Sequence, residues 1–154
     1  MSHELRFERV FDAAPGEVFD AYTDPEGMEM MYGLDDPGWI VESGGSISVG
    51  GTWSVAFGPS RLELYRFTHR FEVIDRPRRV VFRSNEAGPG GADFDTEVEV
   101  TFEEEAGGTR MTIVQWGFPS AEVRDFHEVG LPHAFDRVEH FVRKRVSKEG
   151  LDPS

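Results

Sequence analysis

Hydrophobic and polar positions alternate from the start of the chain. Leu5, Phe7, Arg9 and Phe11 share one face of an extended segment, which is apolar except for a single charge. Asp12 to Pro15 reads as a turn, and Pro15 suits a first helical position. Val18, Phe19 and Tyr22 then make a short amphipathic helix. Thr23-Asp24-Pro25-Glu26 starts a second short helix, with Asp24 as its N-cap, and this helix carries Met28, Met31 and Tyr32.

From Trp39 the period changes to two. Gly50-Gly51 between 46–49 and 52–57 predicts a two-residue hairpin, because both central positions of a primed turn favour positive φ. Trp53, Val55 and Phe57 share a face. A long strand over 62–74 puts Tyr65, Phe67, His69, Phe71 and Val73 on one side. Residues 79–83 read as a short strand, and 86–92, rich in Gly and Pro, as a mobile loop. Thr96, Val98, Val100 and Phe102 alternate with Glu97, Glu99, Thr101 and Glu103, giving one packed face and one wet face, and Gly107-Gly108 turns the chain into 109–116. Ser120 predicts a helix cap and Gly130 an interruption. Beyond it Leu131, Ala134, Phe135, Val138, Phe141, Val142 and Val146 form an apolar stripe over about four turns.

One strand, two short helices, six more strands and a long helix is an α+β order with the helices on one side of a sheet. A strongly curved antiparallel sheet of about seven strands around one helix leaves interior volume that the helix does not fill. The short helices close one end, which predicts a cavity.

Composition narrows the function classes. The 154 residues, 38% of them hydrophobic with thirteen Phe, suit one core, so a single domain over 1–154 is expected, with its body at about 4–147 and a loose tail at 148–154. The net charge of −13 repels phosphate backbones and anionic headgroups, so neither nucleic acid nor a membrane is an expected partner. The absence of Cys removes thiol chemistry and Cys-ligated metal sites. The chain shows no signal-like or membrane-length apolar run, and a cytoplasmic location is the expectation.

Candidate chemistry is sparse. His69 lies among Tyr65, Phe67 and Phe71, where it serves either as a buried structural imidazole or as a base toward a ligand, and the structural reading is the simpler. Arg9 on an apolar face calls for an ion pair, with a ligand-anchoring role as the alternative. His127, Glu128, His133 and His140 with Asp125 and Asp136 lack ligand spacing, so they read as a solvated helix face, with no metal and no cofactor expected. The Gly pairs fit turns, not phosphate cradles, and no serine sits in a nucleophile frame. Met28, Met31, Tyr32, Trp53, Phe57, Tyr65, Phe67, His69, Trp116, Phe118, Leu131 and Phe135 are the expected cavity lining, although plain packing competes for each.

Several segments resemble a known family. Residues 11–26, Val49-Gly50-Gly51-Thr52-Trp53, residues 74–82, Gly108-Thr109-Arg110-Met111-Thr112, Gln115 and Gly117-Phe118-Pro119 are similar to homologues of the heat-shock-protein-90 ATPase activator, within the START-like or SRPBCC superfamily. The resemblance implies a helix-grip fold over nearly the whole chain. Relatives often carry Trp after the Asp-Pro-Glu helix start and a Gly-Trp pair in the final helix. Here Met31-Tyr32 and Gly130-Leu131 stand instead, which implies a distinct pocket lining. The eukaryotic activator also uses an N-terminal domain with an Asn- and Trp-rich motif that this sequence lacks.

Three functions follow as expectations. The first is noncatalytic binding of a small hydrophobic or aromatic molecule. The second, implied by the superfamily, is an enzyme like the polyketide cyclases and dehydratases, with His69, Tyr65 and Arg9 as candidates. The third is an interaction protein, either a chaperone accessory or a homodimer.

Overall fold

The computed structural model describes the backbone of residues 3–150 and the side chains of residues 3–145. Residues 151–154 of the expected tail, and the side chain of Val146, lie outside the described residues. The elements in chain order are β1 (His3–Phe11), α1 (Pro15–Thr23), α2 (Pro25–Met31), β2 (Ile40–Gly45), β3 (Thr52–Gly58), β4 (Tyr65–Asp75), β5 (Arg79–Ala87), β6 (Phe94–Glu105), β7 (Gly108–Phe118) and α3 (Ala121–Gly150). The strands form one seven-stranded sheet in the order β1-β7-β6-β5-β4-β3-β2. Every neighbouring pair is antiparallel. This is the expected helix-grip architecture, a curved sheet with α3 against its inner face and α1–α2 at one end.

Local chemistry explains the helical end. Asp24 caps α2 by accepting from the Gly27 N–H at 3.3 Å, and a proline opens each short helix. Gly27 lies against α1 so closely that a Cβ there would sit 1.9 Å from the Ala21 carbonyl oxygen, so no larger residue fits. Val18, Phe19, Tyr22, Met28 and Met31 pack with Phe135, Val138 and Val142 of α3 and with the inward residues of the sheet, such as Phe82, Val100 and Phe102. Arg9 is ion-paired to Asp136 at 2.8 Å and Glu139 at 3.2 Å, tying β1 to α3.

Several local expectations need correction. The hairpin between β2 and β3 has a six-residue loop, 46–51, rather than two residues. Its glycines extend pairing to the neighbouring strand, with Gly50 N–H donating to the Phe71 carbonyl at 2.8 Å and Phe71 N–H to that of Gly51 at 3.1 Å. β4 starts at Tyr65, not Leu62, and a bulge between Phe71 and Val73 shifts its parity, so Ile74 rather than Val73 reaches the core. The tight turn between β6 and β7 is centred on Ala106 (φ 50°) and Gly107 (φ 87°), one residue before the expected pair. Ser120 caps α3 by accepting from Val123 N–H at 3.2 Å, but Gly130 does not interrupt the helix: His127 before it is held to Phe118 and Glu86, and Leu131, Ala134 and Phe135 after it pack against the core.

The largest correction concerns residues 86–92. β5 runs on to Ala87, and Glu86 is an inward-facing residue only 3% exposed. Its neighbours in register, Phe67 on β4 and Phe94 on β6, hold that part of the chain in the sheet.

Candidate functional site

A cavity of about 670 Å³ lies between the inner face of the sheet, α2 and the first half of α3. Of the expected lining residues, Met31, Tyr32, Phe57, Tyr65, Phe67, His69 and Leu131 border it. Met28, Trp53 and Phe135 are instead packed in the core, Trp53 against Tyr32 and His69, and Phe135 against Phe7 and Tyr22. Trp116 is on the outer face, since Met111, Ile113 and Gln115 point inward and Trp116 follows Gln115. Phe118 is buried behind the cavity wall, 4.9 Å from the His127 ring.

Trp116 and Phe118 part company because of Gly117. It has φ +103° and is the extra residue of a bulge, since His3 pairs with Phe118 and Glu4 with Trp116. The bulge turns Phe118 to the inner face. Arg9 does not border the cavity, and its ion pairs to α3 account for it.

The cavity wall also contains polar groups. His69, Glu86, Gln115 and His127 line the cavity, and Ser84 and Thr96, which lie behind the lining, pair in register with His69 across β4, β5 and β6. Gln115 on β7 donates from Nε2 to Thr96 Oγ1 at 3.0 Å and to Glu86 Oε2 at 3.2 Å. Ser84 also donates to Glu86 Oε2, at 2.8 Å. His127 on α3 donates from Nδ1 to the Val123 carbonyl at 3.0 Å, and its Nε2 is hydrogen-bonded to Glu86 Oε1. Because a carbonyl only accepts, Nδ1 holds a hydrogen, and a second hydrogen on Nε2 makes the ring an imidazolium facing a carboxylate. Burial opposes that charge, but the Glu86 hydrogen bond, its negative charge and the Val123 carbonyl outweigh it, and the His127 pKa is raised.

His69 behaves in the opposite way. It is 2% exposed, and burial lowers its pKa to about 4 against a weaker opposing pull from Glu86. Its ring lies 4.4 Å from that of Phe82, its Nε2 is 3.4 Å from the Tyr32 hydroxyl, and its Nδ1 has no hydrogen-bond partner among the described residues. Burial, with Tyr22 and Glu86 adding to it, raises the Tyr32 phenol well above its ordinary value. Both groups are neutral near pH 7.

The sequence reading missed Glu86, Gln115 and His127. The solvated helix face expected from sequence holds for the exposed His133, His140, Glu128, Asp125 and Asp136 but not for His127. The missed signal was helical periodicity: His127 precedes Leu131 by four residues, so the apolar stripe continues back through it. Among the described residues no group of three or more His, Asp or Glu side chains is placed to hold a metal ion, and no helix is long and apolar enough to cross a membrane.

Comparison with known proteins agrees with this architecture. The family described as "Activator of Hsp90 ATPase homolog 1-like protein" matches residues 12–143. No curated protein matches the chain. Among solved structures, an uncharacterized protein from Rhizobium leguminosarum superposes with a TM-score of 0.78 at 19% identity, covering 94% of this chain and 96% of that one. A protein from Arthrobacter aurescens gives 0.74 at 24% identity, covering 92% and 86%. Ara h 8.0201 gives 0.72 at 15% identity, covering 94% and 99%. At these identities the likeness is one of fold.

Proposed function

The chain belongs to the family of Activator of Hsp90 ATPase homolog 1-like proteins, and on that premise we propose that it binds a small apolar or aromatic molecule in the cavity between sheet and α3 without transforming it. The observation that carries this reading is the cavity itself: about 670 Å³, walled chiefly by aromatic and aliphatic side chains such as Tyr32, Phe57, Phe67, Phe82 and Leu131. A void of that size and polarity is filled more favourably by an apolar ligand than by water, which would find few partners there. Native mass spectrometry and solvent extraction of protein purified without organic additives should recover a bound apolar molecule. A cavity that yields none, and takes up none when offered, contradicts the proposal.

A second reading, a cyclase- or dehydratase-like enzyme, is favoured by the imidazole–carboxylate pair of His127 and Glu86 at the cavity wall. It ranks below binding because both nitrogens of His127 and both oxygens of Glu86 already have protein partners. To take a substrate proton, Glu86, which already accepts three hydrogen bonds, would have to use its one remaining acceptor site, or His127 would have to give up one of its two bonds. The reading predicts turnover of a flexible polyketone that is lost in Glu86→Gln.

A further inference from the structure

The inner face of the sheet carries one polar line across four strands, and its hydrogen bonds leave an acceptor over on Gln115, besides the unpartnered Nδ1 of His69. His69, Ser84 and Thr96 are direct cross-strand neighbours, and Gln115 joins them through Thr96. A carboxylate only accepts, so the amide group of Gln115 that meets Glu86 Oε2 at 3.2 Å is its NH2. The second N–H goes to Thr96 Oγ1 at 3.0 Å, and both donors are used. The amide orientation is thereby fixed. What remains is Oε1, a carbonyl oxygen with no protein hydrogen bond among the described residues, on a side chain that is 6% exposed and borders the cavity. An unpaired acceptor facing the cavity in that position gains from a donor brought by a ligand.

Charge restricts what that donor is. Glu86 is the carboxylate nearest to Gln115, and its charge is already met by His127, Ser84 and Gln115. A ligand carboxylate would bring a second negative charge and only acceptors to this end of the cavity. An ammonium would be buried without a counter-charge of its own. A neutral hydroxyl has neither penalty, and the rings of Tyr32, Phe67 and Phe82 that border the same space suit an aromatic body.

We propose that the cavity selects an aromatic ligand bearing a neutral hydroxyl group, whose O–H donates to Oε1 of Gln115. The inference rests on the reading that the cavity holds an apolar molecule, and it names the chemical class of that molecule. Gln115 acts here as a specificity-determining residue.

The experiment compares three probes by calorimetric titration of the full chain: 2-naphthol, 2-methoxynaphthalene, which keeps ring and oxygen but lacks the donor, and 2-naphthoate. The expected result is that 2-naphthol binds about fivefold or more tightly than 2-methoxynaphthalene, as one net hydrogen bond implies, with 2-naphthoate weakest. In Gln115→Met the advantage of 2-naphthol disappears, while the affinity for 2-methoxynaphthalene stays within about twofold. Equal affinity for the two neutral probes in the unaltered protein, or a naphthol preference that survives in Gln115→Met, overturns the inference and leaves the apolar cavity standing. Failure of all three to bind removes both. Should Gln115→Met not fold, the comparison of the two neutral probes on the unaltered protein decides.

Discussion

Glu86 on β5 and His127 on α3, 41 positions apart in the chain, are joined by a hydrogen bond at the cavity wall, with side chains 4% and 16% exposed. The bond fastens the first half of α3 to the middle of the sheet. Removing one partner leaves the other buried and unpaired. Glu86→Ala is therefore expected to destabilise the fold by about 2–4 kcal/mol, read as a lower urea midpoint with an unchanged slope. A loss within about 0.5 kcal/mol, the scatter of ordinary surface substitutions, would show that the pair does not hold α3 in place.

The same pair sets a pH dependence. The folded-state pKa of His127 is raised, so its contribution is fully present below the unfolded value near 6.5 and is lost as pH rises through the higher folded value. Urea midpoints from pH 6 to 9 should fall in the unaltered protein relative to His127→Gln. Parallel curves for the two proteins would rule out the charged pair.

His69 gives the reverse sign. Its folded pKa is lowered to about 4, so the neutral ring favours the fold above the unfolded value near 6.5, and this contribution is lost as pH falls from there toward 4. His69→Phe should flatten the acid limb of the stability curve, measured by circular dichroism during acid titration. An unchanged acid limb would place the acid sensitivity elsewhere.

Gly117 carries a backbone that few other residues adopt, at φ +103°, and a Cβ there would lie 3.1 Å from the Asp95 carbonyl oxygen. Gly117→Ala is expected to cost about 1–3 kcal/mol. Its ring-current signature should change too, because Phe118 depends on this bulge to reach His127. Retention of the Phe118–His127 contact, seen as an unchanged nuclear Overhauser effect between the rings, would contradict that account.

The sequence made the architecture readable and the chemistry of the cavity much less so. Alternation in Leu5–Phe11 and Thr96–Phe102, the prolines at 15 and 25 and the caps at Asp24 and Ser120 act locally, and local signals survive in a single sequence. Glu86 was hidden because the run Gly88-Pro89-Gly90-Gly91 drew the loop boundary back over a strand end that is fixed by pairing with Phe67 and Phe94. Trp116 and Phe118, two residues apart, meet opposite faces because a bulge at one glycine changes which face the next residue meets. His127 was grouped with the acidic residues beside it in sequence rather than with Leu131 one turn further along. In each case the deciding contact is tertiary. Arg9 is the counterexample, since a charge on an apolar strand face required a partner, and Asp136 with Glu139 supplies it.

Uptake of a neutral apolar dye tests the central claim most directly. Titrating the protein with N-phenyl-1-naphthylamine should give saturable, one-to-one fluorescence enhancement. The enhancement should be lost in Ala134→Trp, which places a large ring into the cavity that Ala134 borders while the far-ultraviolet circular dichroism stays native. No saturable enhancement in the unaltered protein, or equal enhancement in a folded Ala134→Trp variant, would contradict a ligand-binding cavity between the sheet and α3.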